Sequence, residues 1–231
     1  MKFIRYLLWL LFPKRCAVCG KIIDRKDFLC SECEKELEYI DKSCSVCGGI
    51  KKHCECKYRV YRFSGCVAPF YKGDNSMKMI YRFKFGNKTD SADFLAQQIY
   101  NKVKEYFGDI PFDIVTSVPS SVFKRIYKGY NHSEVIARSV AHKMGIDYKN
   151  LLRKKPFRKA QHNLKRDERF ENVISMFYFP ERYTYKNVLL IDDIKSTGAT
   201  LNECTKQLLF AGAGNVYCAV AVVNVFGIEK K

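Results

Sequence analysis

Val188 to Thr200, VLLIDDIKSTGAT, constrains this chain more than any other stretch. Val188-Leu-Leu-Ile191 is wholly apolar and reads as a central parallel strand, buried on both faces. Asp192 and Asp193 follow at its carboxyl end. Two adjacent carboxylates leaving a buried strand are costly unless something cationic or hydroxylated meets them. Lys195-Ser-Thr-Gly-Ala-Thr200 comes next, and a helical pattern runs from Gly198 to Phe210 with Gly212 as its stop. A strand, a turn of small and hydroxyl residues and a helix N-terminus together form an anion site. Backbone N–H groups from Ser196 to Thr200 can point at one phosphate, and Gly198 lets the backbone approach closely. Ser196, Thr197 and Thr200 add hydroxyl donors. The carboxylates, one turn away, are placed to accept hydrogen bonds from a vicinal diol. A bare helix cap with two solvated aspartates is the plain alternative, and it leaves the order of the whole run unexplained. Neither Gly-x4-Gly-Lys-Ser/Thr nor Gly-x-Gly-x-x-Gly occurs, which excludes the Walker-type and dinucleotide loops.

The surrounding chain supplies the sheet that such a turn needs. Cys66 to Tyr71 is a short strand, and Ser76 to Phe85 and Ser91 to Phe107 are helices by their apolar spacing. Asp113 to Val118 is a short buried strand ending at Pro119. Asn131 to Met144 is a helix with Val135, Ile136, Val140 and Met144 on one face, and Val216 to Val223 is a last strand. Strands alternating with helices predict an α/β fold with a mainly parallel sheet covered on both faces. Ligands of such sheets bind beyond the carboxyl ends of the strands.

Composition changes near residue 60. Of 11 cysteines, eight lie between Cys16 and Cys56, as Cys16-x2-Cys19, Cys30-x2-Cys33, Cys44-x2-Cys47 and Cys54-x-Cys56. The first three pairs recur at a 14-residue step. A zinc ribbon brings two such knuckles to one tetrahedron of thiolates. Cys16, Cys19, Cys30 and Cys33 form one candidate set, and Cys44, Cys47, Cys54 and Cys56 a second, with Gly20, Gly48 and Gly49 suited to the turns. Interleaved pairing of the knuckles, and His53 in place of one thiolate, both fit the spacing. The expected cofactor is structural Zn2+, one ion or two, because four thiolates leave no open position for chemistry. A disulfide framework would need a secretory context, and the N-terminus shows no cleavage site. Its apolar run Leu7 to Phe12 is far shorter than the roughly 20 residues of a membrane span. Leu7, Leu8, Leu11 and Phe12 read as a short packing helix, with peripheral membrane contact through Trp9 as the alternative. A cytoplasmic location is expected. The boundaries fall at 1–13 for the apolar segment, 14–60 for the double ribbon and 61–231 for the α/β domain. Cys66, Cys204 and Cys218 sit in apolar patterns and read as core thiols.

The formal net charge is +17. Thiolates on two zinc ions would lower it to about +13. That balance favours polyanionic partners: nucleic acid, acidic lipid or phosphorylated small molecules. Ser117-Val-Pro-Ser-Ser121 ends a strand, with Arg125 and Lys128 behind it, and can hold a second anion. Residues 153–169 form a basic run in which Arg153, Lys154, Lys155, Arg158, Lys159, Lys165, Arg166 and Arg169 face only Asp167 and Glu168. It reads as a mobile arm that closes over pyrophosphate or contacts a nucleic-acid backbone, against a plain solvated charge run.

The run DDIKSTGAT closely resembles the phosphoribosyl pyrophosphate (PRPP) motif of type I phosphoribosyltransferases, with Ser196 in place of the first Thr. Pro119, Arg125-x2-Lys-Gly-Tyr-Asn131, Gln161-x2-Leu164, Arg166, Arg169-x2-Asn172-Val173 and the cysteine knuckles extend the likeness over nearly the whole chain. Together they resemble the ComF family, linked to DNA uptake in naturally competent bacteria. The family's usual Arg-Gly-Phe-Asn-Gln is Lys-Gly-Tyr-Asn-His132 here, and His132 reads as a polar contact at a helix start. The resemblance implies a type I phosphoribosyltransferase-like fold behind a double zinc ribbon. It implies that Asp192 and Asp193 bind ribose hydroxyls and are the catalytic pair, and that Lys195, Ser196, Thr197, Gly198, Ala199 and Thr200 complete the PRPP site. Ser120, Ser121, Arg125 and Arg166 fall on the pyrophosphate side, and Mg2+ accompanies PRPP. If active, such a chain is a phosphoribosyltransferase. The alternative is a non-catalytic module that senses PRPP or a nucleotide, or binds single-stranded DNA through Lys154, Lys155, Arg158 and Lys159. DNA-uptake machinery is the implied partner.

Overall fold

The computed structural model describes residues 13–54, 56, 59–86, 88–120, 130–155 and 176–225. The predicted helix at Leu7 to Phe12 lies outside them. Five helices and seven strands occur among the described residues. They are α1 (Ser31–Glu36), β1 (Gly65–Val67), β2 (Phe70–Tyr71), α2 (Asp74–Phe85), α3 (Lys88–Phe107), β3 (Ile114–Ser117) and α4 (His132–Met144). There follow β4 (Arg153–Lys154), β5 (Phe177–Tyr178), β6 (Asn187–Lys195), α5 (Ala199–Ala211) and β7 (Asn215–Val223).

The main sheet is parallel throughout, in the order β1-β7-β6-β3, with β2 also on β7. Its inner strands alternate between two cores, as period-2 side chains must. Leu189 and Ile191 face α2, α3 and α4 with Phe83, Leu95, Ile99, Ile136 and Val140. Val188 and Leu190 face α5 with Leu201, Cys204 and Leu208. The α/β class with a doubly covered parallel sheet is thus the observed architecture.

Two expectations need correcting. The acidic pair does not leave the strand: β6 runs to Lys195 and stays paired with β7, Asp192 opposite Val220 and Lys195 opposite Val223. What ends is the other neighbour. β3 stops with Ser117 opposite Ile191, one residue before Asp192. The carboxylates therefore stand at the notch where β6 outruns β3. The basic run also does not begin as a free arm. Arg153 and Lys154 form an antiparallel ladder with Tyr178 and Phe177, and the Lys155 N–H donates to the Met176 carbonyl at 2.9 Å. Leu151 and Leu152 pin its start in the core. The remainder of the run, 156–169, lies outside the described residues.

The cysteine module packs on this sheet. Ala17, Val18, Leu29 and Leu37 join the core on the α2–α3 side, where Phe28 meets Phe94 at 5.6 Å. The Glu38 carboxylate accepts the Asn75 and Ser76 N–H groups at 3.0 and 2.7 Å. It thereby caps α2 from outside, satisfying donors that a helix start leaves open. On the other side the Cys66 N–H donates to the Ser45 carbonyl at 2.8 Å, tying β1 to the second half of the module.

Candidate functional site

Asp192 is buried. Its Oδ1 accepts the Ser133 hydroxyl at 2.8 Å and the Asp193 N–H at 2.9 Å. Burial, then the neighbouring Asp193 charge, pushes its carboxyl up to about 7, against the pull of Ser133, the backbone N–H and Lys84. Asp193 turns the other way, and its Oδ2 meets the Lys84 ammonium at 2.5 Å. Lys84 sits in the last turn of α2, and its carbonyl lies 3.2 Å from His132 Nε2. His132 also packs edge-on to Phe83 and against Tyr130. It is a polar contact at the start of α4, as read from its position.

The turn after β6 has the predicted form. Ser196 and Thr197 are exposed, and Gly198 adopts the left-handed conformation at φ 87°. That conformation suits glycine and lets the chain swing directly into α5. Thr197 Oγ1 accepts the Ala199 N–H at 3.3 Å, so Thr197 holds the helix start while Ala199 and Thr200 begin the helix, exposed. The turn is braced from behind by the segment that leaves the cysteine module. Arg59 Nη1 donates to the Thr197 carbonyl at 3.3 Å, the Arg62 N–H donates to Asn202 Oδ1 at 2.9 Å, and Asn202 Nδ2 donates to the Val60 carbonyl at 3.2 Å. The Tyr61 ring backs Gly198, where an added Cβ would lie 3.1 Å from it. Lys195 is buried under the turn, its ammonium 5.1 Å from the centre of the Tyr61 ring.

At the second loop, Asn131 Nδ2 donates to the Val118 carbonyl at 3.0 Å, and the Ser117 and Tyr148 hydroxyls lie 2.9 Å apart. The Ser120 hydroxyl is buried and has no hydrogen-bond partner among the described residues. A buried hydroxyl without a partner suits a loop shaped for an anion. Ser121, Arg125, Arg158, Lys159 and Arg166 lie outside the described residues. Lys154 stands on the β4 ladder with its ammonium 5.3 Å from the Phe177 ring centre, and Lys155 follows directly after it.

The eight cysteines close into two clusters in sequence order, Cys16, Cys19, Cys30, Cys33 and Cys44, Cys47, Cys54, Cys56, each with all sulfurs within 4.8 Å of one another. This settles the pairing against the interleaved and His53 alternatives. Sulfurs lie 3.7 Å apart for Cys19 and Cys30, 3.6 Å for Cys44 and Cys56, and 3.7 Å for Cys47 and Cys54. A tetrahedral zinc thiolate site requires roughly 3.8 Å. Burial alone would raise the Cys16 and Cys44 thiols. The backbone N–H groups of the knuckle turns outweigh it and bring both down to about 7. The clusters fit structural Zn2+ in donor type and spacing. Cys66, Cys204 and Cys218 are buried core thiols, and burial pushes all three up.

Sequence reasoning missed Lys84, Ser133, Arg59 and Asn202. Ser133 carried a faint signal, a hydroxyl in the first turn of a helix at a strand end. The others bear no spacing relation to the acidic run.

Residues 7–59 match the double zinc ribbon domain family. The chain is 26% identical over 240 residues to Competence protein F of Haemophilus influenzae, covering 95% of this chain and 98% of that protein. It is 28% identical over 225 residues to Competence protein ComFC of Streptococcus pneumoniae, covering 87% and 96%. DNA utilization protein YhgH of Salmonella typhimurium is 23% identical over 206 residues, with 87% and 86% covered. Among solved structures, the glutamine PRPP amidotransferase from B. subtilis is similar with a TM-score of 0.40 and 19% identity over 56% of this chain, which spans a quarter of that protein. The purine phosphoribosyltransferase from Pyrococcus horikoshii gives a TM-score of 0.36 and 17% identity, covering 61% of this chain and 93% of that one.

Proposed function

On the premise that this chain belongs to the ComF family, we propose that its α/β domain binds PRPP or a related phosphoribosyl ligand and serves DNA uptake in the cytoplasm. One observation carries the reading. An acidic pair with Asp192 buried and a glycine-hinged, hydroxyl-rich helix start are joined by one strand end at the notch of a parallel sheet. Asp192 and Asp193 accept the ribose diol. The N–H groups from Ser196 to Thr200 donate to the 5-phosphate, and the Ser196, Thr197 and Thr200 hydroxyls add to them. The Ser120 hydroxyl faces the pyrophosphate side, where Ser121, Arg125 and Arg166 complete the set.

As a phosphoribosyltransferase, the chain would let an acceptor's lone pair form the new bond to C1 as the C1–O bond to pyrophosphate breaks. Pyrophosphate leaves with that electron pair. Bound Mg2+ neutralises charge on the pyrophosphate. The protein's part is orientation and fixed dipoles aimed at an oxocarbenium-like centre, not a strong base. The phosphate turn and the acidic pair hold the two ends of the sugar, so the reacting carbon has little freedom. Calorimetric titration of the zinc-loaded chain with PRPP and Mg2+ tests this reading. Saturable binding that D193N weakens is expected, and an absence of heat sinks it.

The basic surface favours a second, compatible role. Lys154 is held on a ladder beside Phe177 with Lys155 directly after it, and the net charge is +17. With Arg158 and Lys159 they are proposed to contact single-stranded DNA. Binding that steepens as salt falls, and drops when the four become Ala, is expected. Unchanged affinity removes the arm from the DNA contact.

A further inference from the structure

Lys84 is not placed like an ordinary surface lysine. Its helix is gripped at both ends by the cysteine module. Glu38 caps the first turn of α2, and near its other end the Arg82 guanidinium lies over Gly20, where an added Cβ would come within 2.4 Å of it. Phe83 is fully buried, and His132 holds the Lys84 carbonyl. The ammonium is thereby delivered to Asp193 Oδ2 at 2.5 Å, with three quarters of the side chain shielded from solvent. Among the described residues Asp192 has no ion pair of its own. Its Oδ1 is spent on Ser133 and the Asp193 N–H, and burial favours its protonated form.

Among the described residues, the notch thus sets Asp193 against one fixed ammonium, that of Lys84. A pair of adjacent carboxylates normally recruits a divalent metal, whose charge keeps both ionised and whose coordination shell gathers oxygen ligands. Here a dication seated on Asp193 would face a fixed positive charge in contact with the same oxygen. A neutral vicinal diol faces no such opposition. Its O–H groups donate to the free lone pairs of the two carboxyls, while the ammonium holds Asp193 aimed.

We propose that Lys84 is the resident counter-cation of the diol site, so that the cradle recognises 5-phosphorylated ribose, free or at the end of a ribonucleotide, without a divalent metal. This rests on the phosphoribosyl reading above and narrows it. Metal is then required only for the pyrophosphate of PRPP, and a sugar lacking one hydroxyl of the diol is rejected. In this account Lys84 is a positioning residue acting through Asp193.

The test is titration of the zinc-loaded chain with ribose 5-phosphate and with 2-deoxyribose 5-phosphate, in magnesium-free buffer without chelator and again with saturating Mg2+. For the wild type, ribose 5-phosphate affinity should change less than about twofold with Mg2+, and the deoxy sugar should bind about tenfold more weakly, the cost of one lost charge-assisted hydrogen bond. Lys84→Met should weaken metal-free binding about tenfold and make it recover with Mg2+, whereas Lys84→Arg should stay within about threefold of wild type. A merely structural lysine would not create a magnesium dependence. Zinc content and thermal melting report whether each variant is folded, and the wild-type magnesium titration decides the matter if Lys84→Met is not. Wild-type binding of ribose 5-phosphate that needs Mg2+ overturns the proposal, as does Lys84→Met behaving like wild type. PRPP binding with Mg2+ surviving in that case leaves the broader reading standing, and its absence removes both.

Discussion

Cys16, Cys19, Cys30 and Cys33 close one four-thiolate cluster, and Cys44, Cys47, Cys54 and Cys56 close another with the same knuckle turn, yet they sit in different surroundings. Gly20 and Gly48 hold equivalent places, at φ 78° and 75°. Gly20 lies under the tip of the flexible Arg82 side chain, while Gly48 lies 3.1 Å from Cys66 Sγ and 3.3 Å from the Val67 backbone, as measured to an added Cβ. Cys19 of the first cluster is exposed, and no cysteine of the second is. The first cluster grips α2, which carries Lys84 to the acidic pair. The second borders a recess walled by Cys47, Cys54, Arg59, Tyr61 and Lys195, directly behind the phosphate turn. One local motif thus braces the acidic pair through a helix and the other braces the Ser196–Thr200 turn by direct packing.

The largest separation should come from removing one metal at a time. Cys19→Ser and Cys54→Ser are each expected to lower zinc content from two ions per chain to one, since a structural site contributes on the order of ten kcal/mol. Cys54→Ser should also weaken binding of ribose 5-phosphate by about tenfold or more, because the braced turn is a direct neighbour, with Cys19→Ser costing about threefold. Equal losses would break the comparison.

Acid and base also act on the acidic pair. Burial, then the Asp193 charge, pushes the Asp192 carboxyl up to about 7 in the folded chain, from about 3.9 unfolded. The fold holds a proton there that the unfolded chain releases. That contribution to stability is full below about pH 4 and disappears as pH rises through about 7, a change of ~4 kcal/mol at most. Asp192→Asn should flatten this part of the stability profile in denaturant melts at pH 5 to 8. Ligand affinity should run the opposite way in the wild type, rising through pH 7 as the carboxylate forms.

Glycine replacements sharpen the comparison at smaller scale. Gly48→Ala should destabilise by about 2–3 kcal/mol, since left-handed backbone strain adds to a collision with packed neighbours. Gly20→Ala should cost about 1 kcal/mol, as its obstacle is a side-chain tip that can move. Smallest is Tyr61→Ala. It leaves both clusters intact but should weaken phosphate-end binding by about threefold through loss of the ring behind Gly198 and Lys195.

Much of the site was legible because its chemistry is contiguous. Strand, carboxylates, turn and helix start fall within Val188–Thr200, and each needs a particular residue type there. The extent of β6 was not legible. Charge at Asp192 reads as an exit from the sheet, but β7 continues alongside and keeps the backbone paired to Lys195. Lys84 and Ser133 were silent because they reach the acidic pair across 109 and 59 residues of sequence. Such contacts follow from how α2 and α4 pack and leave no period or spacing behind. Knuckle spacing supplied the cysteine sets, while only the spatial path of the chain chose between sequential and interleaved closure.

The pairing of β1 with β7 has a consequence for biosynthesis. Cys66 finds its neighbour Cys218 only after nearly the whole chain has been made, a wait on the order of ten seconds at typical ribosomal rates. The cysteine module emerges first and can close around zinc during that interval. By the time Cys204 and Cys218 leave the ribosome, eight of the 11 thiols can already be committed to metal. The order of synthesis thus guards the nascent chain against thiol scrambling, and the finished module then offers β1 as a waiting edge on which the last strand docks.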